Sequence, residues 1–181
     1  MAINLALNQS RSKVLKTLLV DGDLRRPTLT DRFGLEHSLP GLSECLAGER
    51  QLEDSVYKIS GSGLWFLPAG LPPENPLELM QAGRVSDVLD RLGKFFDWII
   101  IDSPPAVPVS DASILSKSCD GVVIVVRSNT TPIDMARRAR EEFPEESLVG
   151  VVLNGTDRET TPYSRYYYDA YVKNATTESK S

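Results

Sequence analysis

Several features that define common functional classes are scarce or missing in this sequence. It has one histidine and two cysteines, Cys45 and Cys119, which lie far apart without C-x-x-C or Cys/His spacing. Neither a disulfide scaffold nor a zinc site is therefore expected. No run approaches the roughly 18 apolar residues of a membrane helix, and we find no signal peptide. The formal net charge of −5 argues against general nucleic-acid binding, which needs a basic face. We expect a soluble, cytoplasmic protein.

A phosphate-binding loop of the usual form is also missing. The string G-x-x-x-x-G-K-[ST], whose backbone amides cradle phosphates at the start of a helix, occurs nowhere in the 181 residues. The chain begins instead with Met1 and an apolar stretch over residues 2–8, which indicates a helix already under way.

What is present is the composition of one ordinary globular domain, with 41% hydrophobic and 25% charged residues. Short runs rich in Ile, Val and Leu, apolar on both faces, alternate with helical patterns, as buried parallel strands do in α/β proteins. The sequence therefore predicts an α/β domain over residues 1–154, an open, mostly parallel sheet with flanking helices. The predicted strands are Thr17–Asp21, Leu64–Leu67, Trp98–Asp102, 121–126 and 149–154. The predicted helices are 2–8, 41–48, 76–96, 111–118 and 132–143.

Two of the predicted strands end on an aspartate. The first ends at Asp21 and continues with Asp23 and Arg25 at alternate positions, and the second ends at Asp102. Ligands bind beyond the carboxyl ends of parallel strands, where a carboxylate can hold Mg²⁺ or its water beside a nucleotide phosphate. Two carboxylates so close together also favour a bound cation, which relieves their repulsion. The alternative is that these aspartates only form turns or cap the following loop.

Residues 18–27, Leu-Leu-Val-Asp-Gly-Asp-Leu-Arg-Arg-Pro, resemble the second, modified Walker motif of bacterial tyrosine kinases. These are the cytoplasmic kinases of capsular and exopolysaccharide synthesis, relatives of the septum-site and partition ATPases. The resemblance covers nearly the whole chain, and its Arg-Arg-Pro and Pro-Ala-Gly segments separate this family from the ATPases. The further matching segments are residues 41–43, 46–48, 67–70, 73–76, 78–79, 97–105, 110–112 and 150–154.

The resemblance implies a fold like that of the P-loop nucleotide hydrolases, with the first strand and the phosphate-binding loop absent. It implies transfer of the γ-phosphate of ATP to tyrosine, with Asp21 and Asp23 binding Mg²⁺ and activating the attacking hydroxyl. Asp102 would be the Walker B carboxylate, which also holds Mg²⁺. Arg25 would lie near the phosphates or at a subunit contact, and Asn154 would touch the adenine ring. From the residues alone, an asparagine at a strand end is as often a turn residue.

The last stretch, residues 155–181, is polar and is predicted to be a flexible tail. Five of the six tyrosines fall within nine positions of this tail, as a kinase that acts on itself or on its neighbour would require. Tyrosine also favours strands, so an edge strand is the alternative, which Pro162 and Asp169 disfavour. Each phosphate would add roughly −1.5 to −2 of charge, so we expect phosphorylation to loosen an oligomer that docks the tail against the acidic site. The candidate phosphorylation sites are Tyr163, Tyr166, Tyr167, Tyr168 and Tyr171.

The resemblance also implies partners. Relatives depend on a membrane adaptor, the chain-length-determinant protein of polysaccharide export, which is either a separate protein or a fused segment. They form rings in which the tail of one subunit reaches the site of the next. We therefore expect a cytoplasmic protein held peripherally at the inner face of the cell membrane.

The missing phosphate-binding loop lowers the expected activity of the 181 residues taken alone. Loss of three charge-assisted hydrogen bonds to phosphate removes roughly 5 kcal/mol or more of binding free energy, a factor of about 10³ to 10⁴ in affinity. A tyrosine autokinase truncated at its N-terminus is the leading interpretation. The alternatives are a non-catalytic interaction remnant that is phosphorylated in trans, and an ATPase of the partition or septum-site type.

Overall fold

The computed structural model describes residues 1–12, 14–81, 83–107 and 109–156. Its strands are β1 (Thr17–Asp21), β2 (Tyr57–Lys58), β3 (Leu64–Leu67), β4 (Trp98–Asp102), β5 (Val122–Arg127) and β6 (Leu148–Asn154). Its helices are α1 (Ala2–Gln9), α2 (Leu29–Phe33), α3 (Leu42–Ala47), α4 (Pro76–Met80), α5 (Arg84–Leu92), α6 (Asp111–Ser116) and α7 (Ile133–Glu141). Short 3₁₀ turns lie at Leu52–Asp54 and Glu145–Ser147. Within these described ranges, every helix is too short or too polar to cross a membrane.

The strands form two sheets. In the larger one the order is β2-β3-β1-β4, with β1 parallel to both neighbours and the two-residue β2 antiparallel to β3. Strands β5 and β6 form a separate parallel pair, and the described residues contain no ladder between β4 and β5. The predicted α/β class with a mostly parallel arrangement is confirmed.

Strand β1 is the best-buried element of the larger sheet because apolar layers cover both of its faces. Leu18 and Val20 belong to the core under α3, α5 and α6, whereas Leu19 lies in a second core with Ala6 of α1 and Phe66 of β3. This two-sided burial explains the uninterrupted apolar run in the sequence. It also fixes the end of β1, where Asp21 pairs in register with Asp102 of β4.

The smaller sheet departs from the prediction of strands buried on both faces. Val123, Val125 and Val151 remain exposed, and Ile124 is the residue of this pair that is fully buried. An apolar run in the sequence indicates a strand, but it does not by itself show that a covering layer exists on each side.

The predicted helix over residues 76–96 is wrong as a single helix, although its beginning is correct. Pro76 occupies the first turn, where it is tolerated, and the Asn75 side chain accepts a hydrogen bond from the Glu78 amide at 3.3 Å. Gln81 leaves the helix in an extended conformation, and Gly83 has a φ of 75°, which an α-helix cannot contain. The chain therefore forms α4 and α5 rather than one long helix.

Candidate active site

The candidate site begins with Asp21, the last residue of β1, which is only 1% exposed. Each of its carboxylate oxygens accepts a backbone hydrogen bond, one from the Asp23 amide at 3.2 Å and one from the Leu29 amide at 3.1 Å. Burial raises the pKa of Asp21 from its ordinary value of 3.8 to about 6, although these two hydrogen bonds oppose the increase. The nearby charges of Asp102 and Asp23 raise the pKa further. Asp21 thus organises the loop after β1 and is poorly stable as an anion without a neighbouring cation.

Asp23 forms the turn that follows. Its Oδ1 atom accepts hydrogen bonds from the amides of Arg25 at 3.1 Å and Arg26 at 2.9 Å, as the side chain of an Asx turn does. The residue is half-buried. The carboxylates of Asp21 and Asp23 therefore do stabilise a turn, as the alternative interpretation expects. Oδ2 of Asp23 takes no part in this turn, and no hydrogen bond to it is found in the described part of the chain.

Arg25 is held by Asp111, which the sequence did not single out for a role. Arg25 Nε donates to Asp111 Oδ2 at 2.6 Å, and a terminal nitrogen of the same guanidinium donates to Asp111 Oδ1 at 3.1 Å. The Asp111 side chain is completely buried, whereas that of Arg25 is 40% exposed. This bidentate pairing raises the pKa of Arg25. In the sequence, Asp111 is marked only by its place in the segment 110–112, which resembles the family.

Asp102 completes the set at the end of β4. It lies across from Asp21 in the parallel ladder, and its carbonyl oxygen accepts a 2.7 Å hydrogen bond from the Gly22 amide. Burial raises the pKa of Asp102, and the charge of Asp23 adds to the increase. A Cβ atom on Gly22 would come within 2.9 Å of the Asp102 carbonyl oxygen, so a glycine lets the two strand ends lie this close.

The structure thus brings Asp21, Asp23 and Asp102 to one end of β1 and β4. The described residues contain no cluster of three or more His, Cys, Asp or Glu arranged to hold a metal ion by themselves. Mg²⁺ does not need such a cluster, because it is usually held through one or two carboxylates, several waters and the phosphates of its nucleotide. Hard carboxylate oxygens fit this cation, and burial raises the pKa of two of these carboxyl groups, Asp21 and Asp102.

Other predicted site residues are not joined to this group. Asn154 lies in the smaller sheet at the end of β6, pairs in register with Arg127, and accepts a hydrogen bond from the Ser128 amide through its backbone oxygen. Its exposed side chain makes no described contact with the three aspartates. The tyrosines Tyr163, Tyr166, Tyr167, Tyr168 and Tyr171 lie outside the described residues, as does the predicted tail beyond residue 156.

Two further segments that resemble the family, residues 41–43 and 67–70, are hydrogen-bonded to each other, and we call this contact the joint between α3 and the loop after β3. The amides of Leu42 and Ser43 donate to the carbonyls of Pro68 and Ala69 at 2.8 and 2.9 Å. Glu44 then accepts the Gly41 amide on one oxygen at 2.7 Å and the Leu71 amide on the other at 2.9 Å. Burial alone would raise the pKa of Glu44, but these hydrogen bonds outweigh it and hold the pKa below its usual value. These hydrogen bonds give the segments a role in the fold, where they hold α3 against the loop after β3.

An apolar cavity of about 240 Å³ lies away from the aspartates. It is lined near the start of β1 by Lys16 and by aromatic and aliphatic side chains that include Trp65, Phe95 and Phe96. This apolar cavity and the acidic strand ends are therefore different places. The candidate site lies at the strand ends, where Asp21 and Asp102 pair in register.

Carboxylates at the ends of two adjacent parallel strands are a feature that P-loop nucleotide hydrolases and kinases share with other α/β proteins. A comparison with solved structures supports the P-loop class. The septum-site-determining protein MinD of Pyrococcus horikoshii, solved with Mg-ADP, superposes with a TM-score of 0.64 over 90% of this chain and 67% of that chain. Its identity of 23% shows the fold alone. No family model matches the chain.

More similar proteins define the family. The tyrosine-protein kinase CpsD of Streptococcus pneumoniae serotype 4 is 31% identical over 164 residues, which cover 90% of this chain and 72% of that protein. The kinase domain of VpsO is 38% identical, with a TM-score of 0.79 over 86% of this chain and 77% of that chain. The chain therefore belongs to the bacterial tyrosine-protein kinases. It spans 65% to 67% of the length of three CpsD proteins of Streptococcus agalactiae.

Proposed function

We propose that this chain is the catalytic part of an ATP-dependent protein-tyrosine kinase that phosphorylates the tyrosine cluster at its own C-terminus. The activity would regulate the synthesis and export of a capsular polysaccharide or exopolysaccharide. The observation that carries the proposal is the pairing of buried Asp21 with Asp102 across β1 and β4, next to the Asp23 turn. Membership of the tyrosine-kinase family supports the assignment of a tyrosine hydroxyl as the group that accepts the phosphate.

Mg²⁺ and ATP are the expected cofactors of this site. We assign Asp23 and Asp102 to the cation, directly or through its waters, because both carboxylates are half-buried and neither is fully engaged by the described backbone. When bound, the cation would neutralise charge on the transferred phosphoryl group. Arg25 stays predicted to lie near the phosphates or at a subunit contact, and Asn154 stays predicted to touch the adenine ring.

We assign different roles to Asp21 and Asp23, the two aspartates at the end of β1. Asp21 has both oxygens bonded to backbone amides, so we assign it to holding the turn and to the electrostatics of the site. Asp23 keeps one oxygen, Oδ2, without a described hydrogen bond, and we assign this oxygen to receiving the proton of the attacking tyrosine hydroxyl, so that Asp23 meets the cation only through a water. A carboxylate can serve as a general base when it reaches the proton at hydrogen-bond distance.

The partners follow from the family resemblance. We propose that a membrane adaptor of polysaccharide export, separate or fused, activates the kinase at the inner face of the cell membrane. We also propose that copies of the chain associate in a ring and phosphorylate the tails of their neighbours. The cluster of tyrosines at positions 163–171 supports a substrate segment that several subunits could reach.

The test is the double substitution Asp21→Ala and Asp23→Ala in the full-length gene product. Incubation with Mg-ATP and mass spectrometry of the tail should show phosphate on the tyrosines of the unchanged protein and none in the variant. The control is Glu53→Gln, which breaks the exposed 3.2 Å ion pair with Arg91 beside the apolar cavity and should leave phosphorylation unchanged. Persistent phosphorylation in the double variant would refute the assignment of the aspartates.

A mixing experiment separates an autokinase from a remnant that is phosphorylated by another kinase. A tagged copy with the two alanine substitutions is mixed with the unchanged protein and Mg-ATP. Phosphate on the tagged tail supports kinase activity in trans between copies of this chain. If neither copy is phosphorylated until a second tyrosine kinase is added, the chain is a substrate and not a kinase.

A further inference from the structure

The pairing of Arg25 with Asp111 connects α6 to the turn that carries Asp23. Asp111 lies in the first turn of α6 and has no exposed side-chain surface. Both of its oxygens are occupied by one guanidinium, at 2.6 and 3.1 Å. A buried carboxylate paired in this bidentate way fixes the direction of the arginine as well as its charge.

The same arginine is bonded to Asp23 through its backbone. The Arg25 amide donates to Asp23 Oδ1 at 3.1 Å, so residue 25 is held at its backbone by Asp23 and at its side chain by Asp111. Leu24, between them in the chain, is 1% exposed and packs in the core with Leu115 of α6. The turn is therefore anchored to α6 by an ion pair, and its Leu24 shares one apolar core with Leu115 of that helix.

We propose that Asp111 is a positioning residue, which acts through Arg25 to set the orientation of the Asp23 carboxylate. The inference rests on the proposed function, since it assumes that Asp23 faces the cation and the attacking hydroxyl. Asp111 itself is too deeply buried to meet a substrate. Its part is to keep the Asp23 turn in one arrangement before substrate binds, which is how a distant group affects a reaction that depends on placement.

The substitution Asp111→Asn tests this inference because it removes the charge and one acceptor while it keeps the size of the side chain. An asparagine offers one carbonyl oxygen and an NH2 group, so it cannot reproduce the two parallel, charge-assisted hydrogen bonds that the carboxylate accepts from the guanidinium. Arg25→Lys alters the other partner of the ion pair. Lysine keeps the positive charge but lacks the planar guanidinium that donates two parallel hydrogen bonds. The control is Glu44→Gln, which weakens the joint between α3 and the loop after β3 through the Gly41 and Leu71 amides.

Phosphorylation kinetics of the full-length gene product provide the first readout. We expect Asp111→Asn to lower kcat by about tenfold or more, with a much smaller change in the KM for ATP, because placement of the reacting groups and not nucleotide affinity is altered. The double variant with Arg25→Lys should be no slower than the slower single variant, since the two residues act as one unit. Multiplied effects in the double variant, or a fall in activity that only follows the folded fraction, would overturn the proposal.

Hydrogen exchange provides a readout that does not depend on catalysis. The Arg25 and Arg26 amides, which donate to Asp23, should exchange faster by about tenfold or more in Asp111→Asn and keep their rates in Glu44→Gln. Unchanged exchange at these amides would refute the positioning role even if the kinase is active. Faster exchange in a protein that never phosphorylates tyrosine would instead retain the anchoring of the turn and refute the proposed function.

Discussion

Replacement of Asp21 by asparagine should change how the stability of the protein depends on pH. Burial places the pKa of Asp21 at about 6 in the folded protein, against 3.8 for an ordinary aspartate, so the folded state binds this proton more tightly than the unfolded chain. The free energy of unfolding therefore decreases as the pH rises from about 4 to about 6, and stays reduced above that. A pKa difference of this size corresponds to about 3 kcal/mol.

The assay is urea unfolding of the unchanged chain and of Asp21→Asn at a series of pH values. Since asparagine does not titrate, the variant should gain about 2–2.5 kcal/mol relative to the unchanged chain between pH 4 and pH 7, most of the total of about 3 kcal/mol. The absolute offset between the two proteins is not predicted, because the asparagine amide group must face one of the backbone donors that the carboxylate satisfies.

Glu44→Gln is a control in which stability should change with pH in the opposite direction. The pKa of Glu44 is lowered in the folded state, so its contribution to stability is present at neutral pH and is lost as the pH falls. The two difference curves should therefore slope in opposite directions. A flat curve for Asp21→Asn, or one that slopes like that of Glu44→Gln, would refute the argument that burial without a cation destabilises the Asp21 anion.

Other substitutions test close contacts around the site and the joint. Gly22→Ala should lower the free energy of unfolding by about 1–3 kcal/mol, because its new Cβ would press on the backbone oxygen of Asp102. Gly150→Ala, which meets nothing within 4 Å, is the matched control and should be nearly neutral in thermal unfolding. Gly70→Ala should be destabilising by more than about 1 kcal/mol, since Gly70 has a φ of 84° and the added atom would collide with Glu44. Equal melting temperatures for all three variants would contradict these contacts.

Much of the larger sheet could be predicted because the burial of apolar side chains determines the sequence pattern of its strands. The apolar runs that end at Asp21, Leu67 and Asp102 are the observed strands β1, β3 and β4, with the predicted bounds. Both faces of β1 are covered, so burial alone determines the pattern. The predicted start at Pro76, a residue tolerated in the first turn of a helix, is likewise the observed start of α4.

The failures came from features that hydrophobic patterning does not record. The break between α4 and α5 depends on the backbone at Gly83, which an apolar pattern continuing on both sides conceals. The short elements α2 and β2 contain too few residues to show a period. The partner of Arg25 could not be foreseen, because Asp111 is 86 residues away in the sequence and meets it only after α6 has packed beside β1.

If this chain is the catalytic part of a kinase that acts on its own tyrosine cluster, consumption of ATP and phosphorylation of those tyrosines must occur together. Site-resolved mass spectrometry of the full-length gene product, with ATP consumption followed in the same reaction, tests this. We expect ATP to be consumed while phosphate accumulates on tyrosines within residues 163–171. Consumption of ATP without any phosphotyrosine would refute the kinase assignment and would identify an ATPase of the partition or septum-site type.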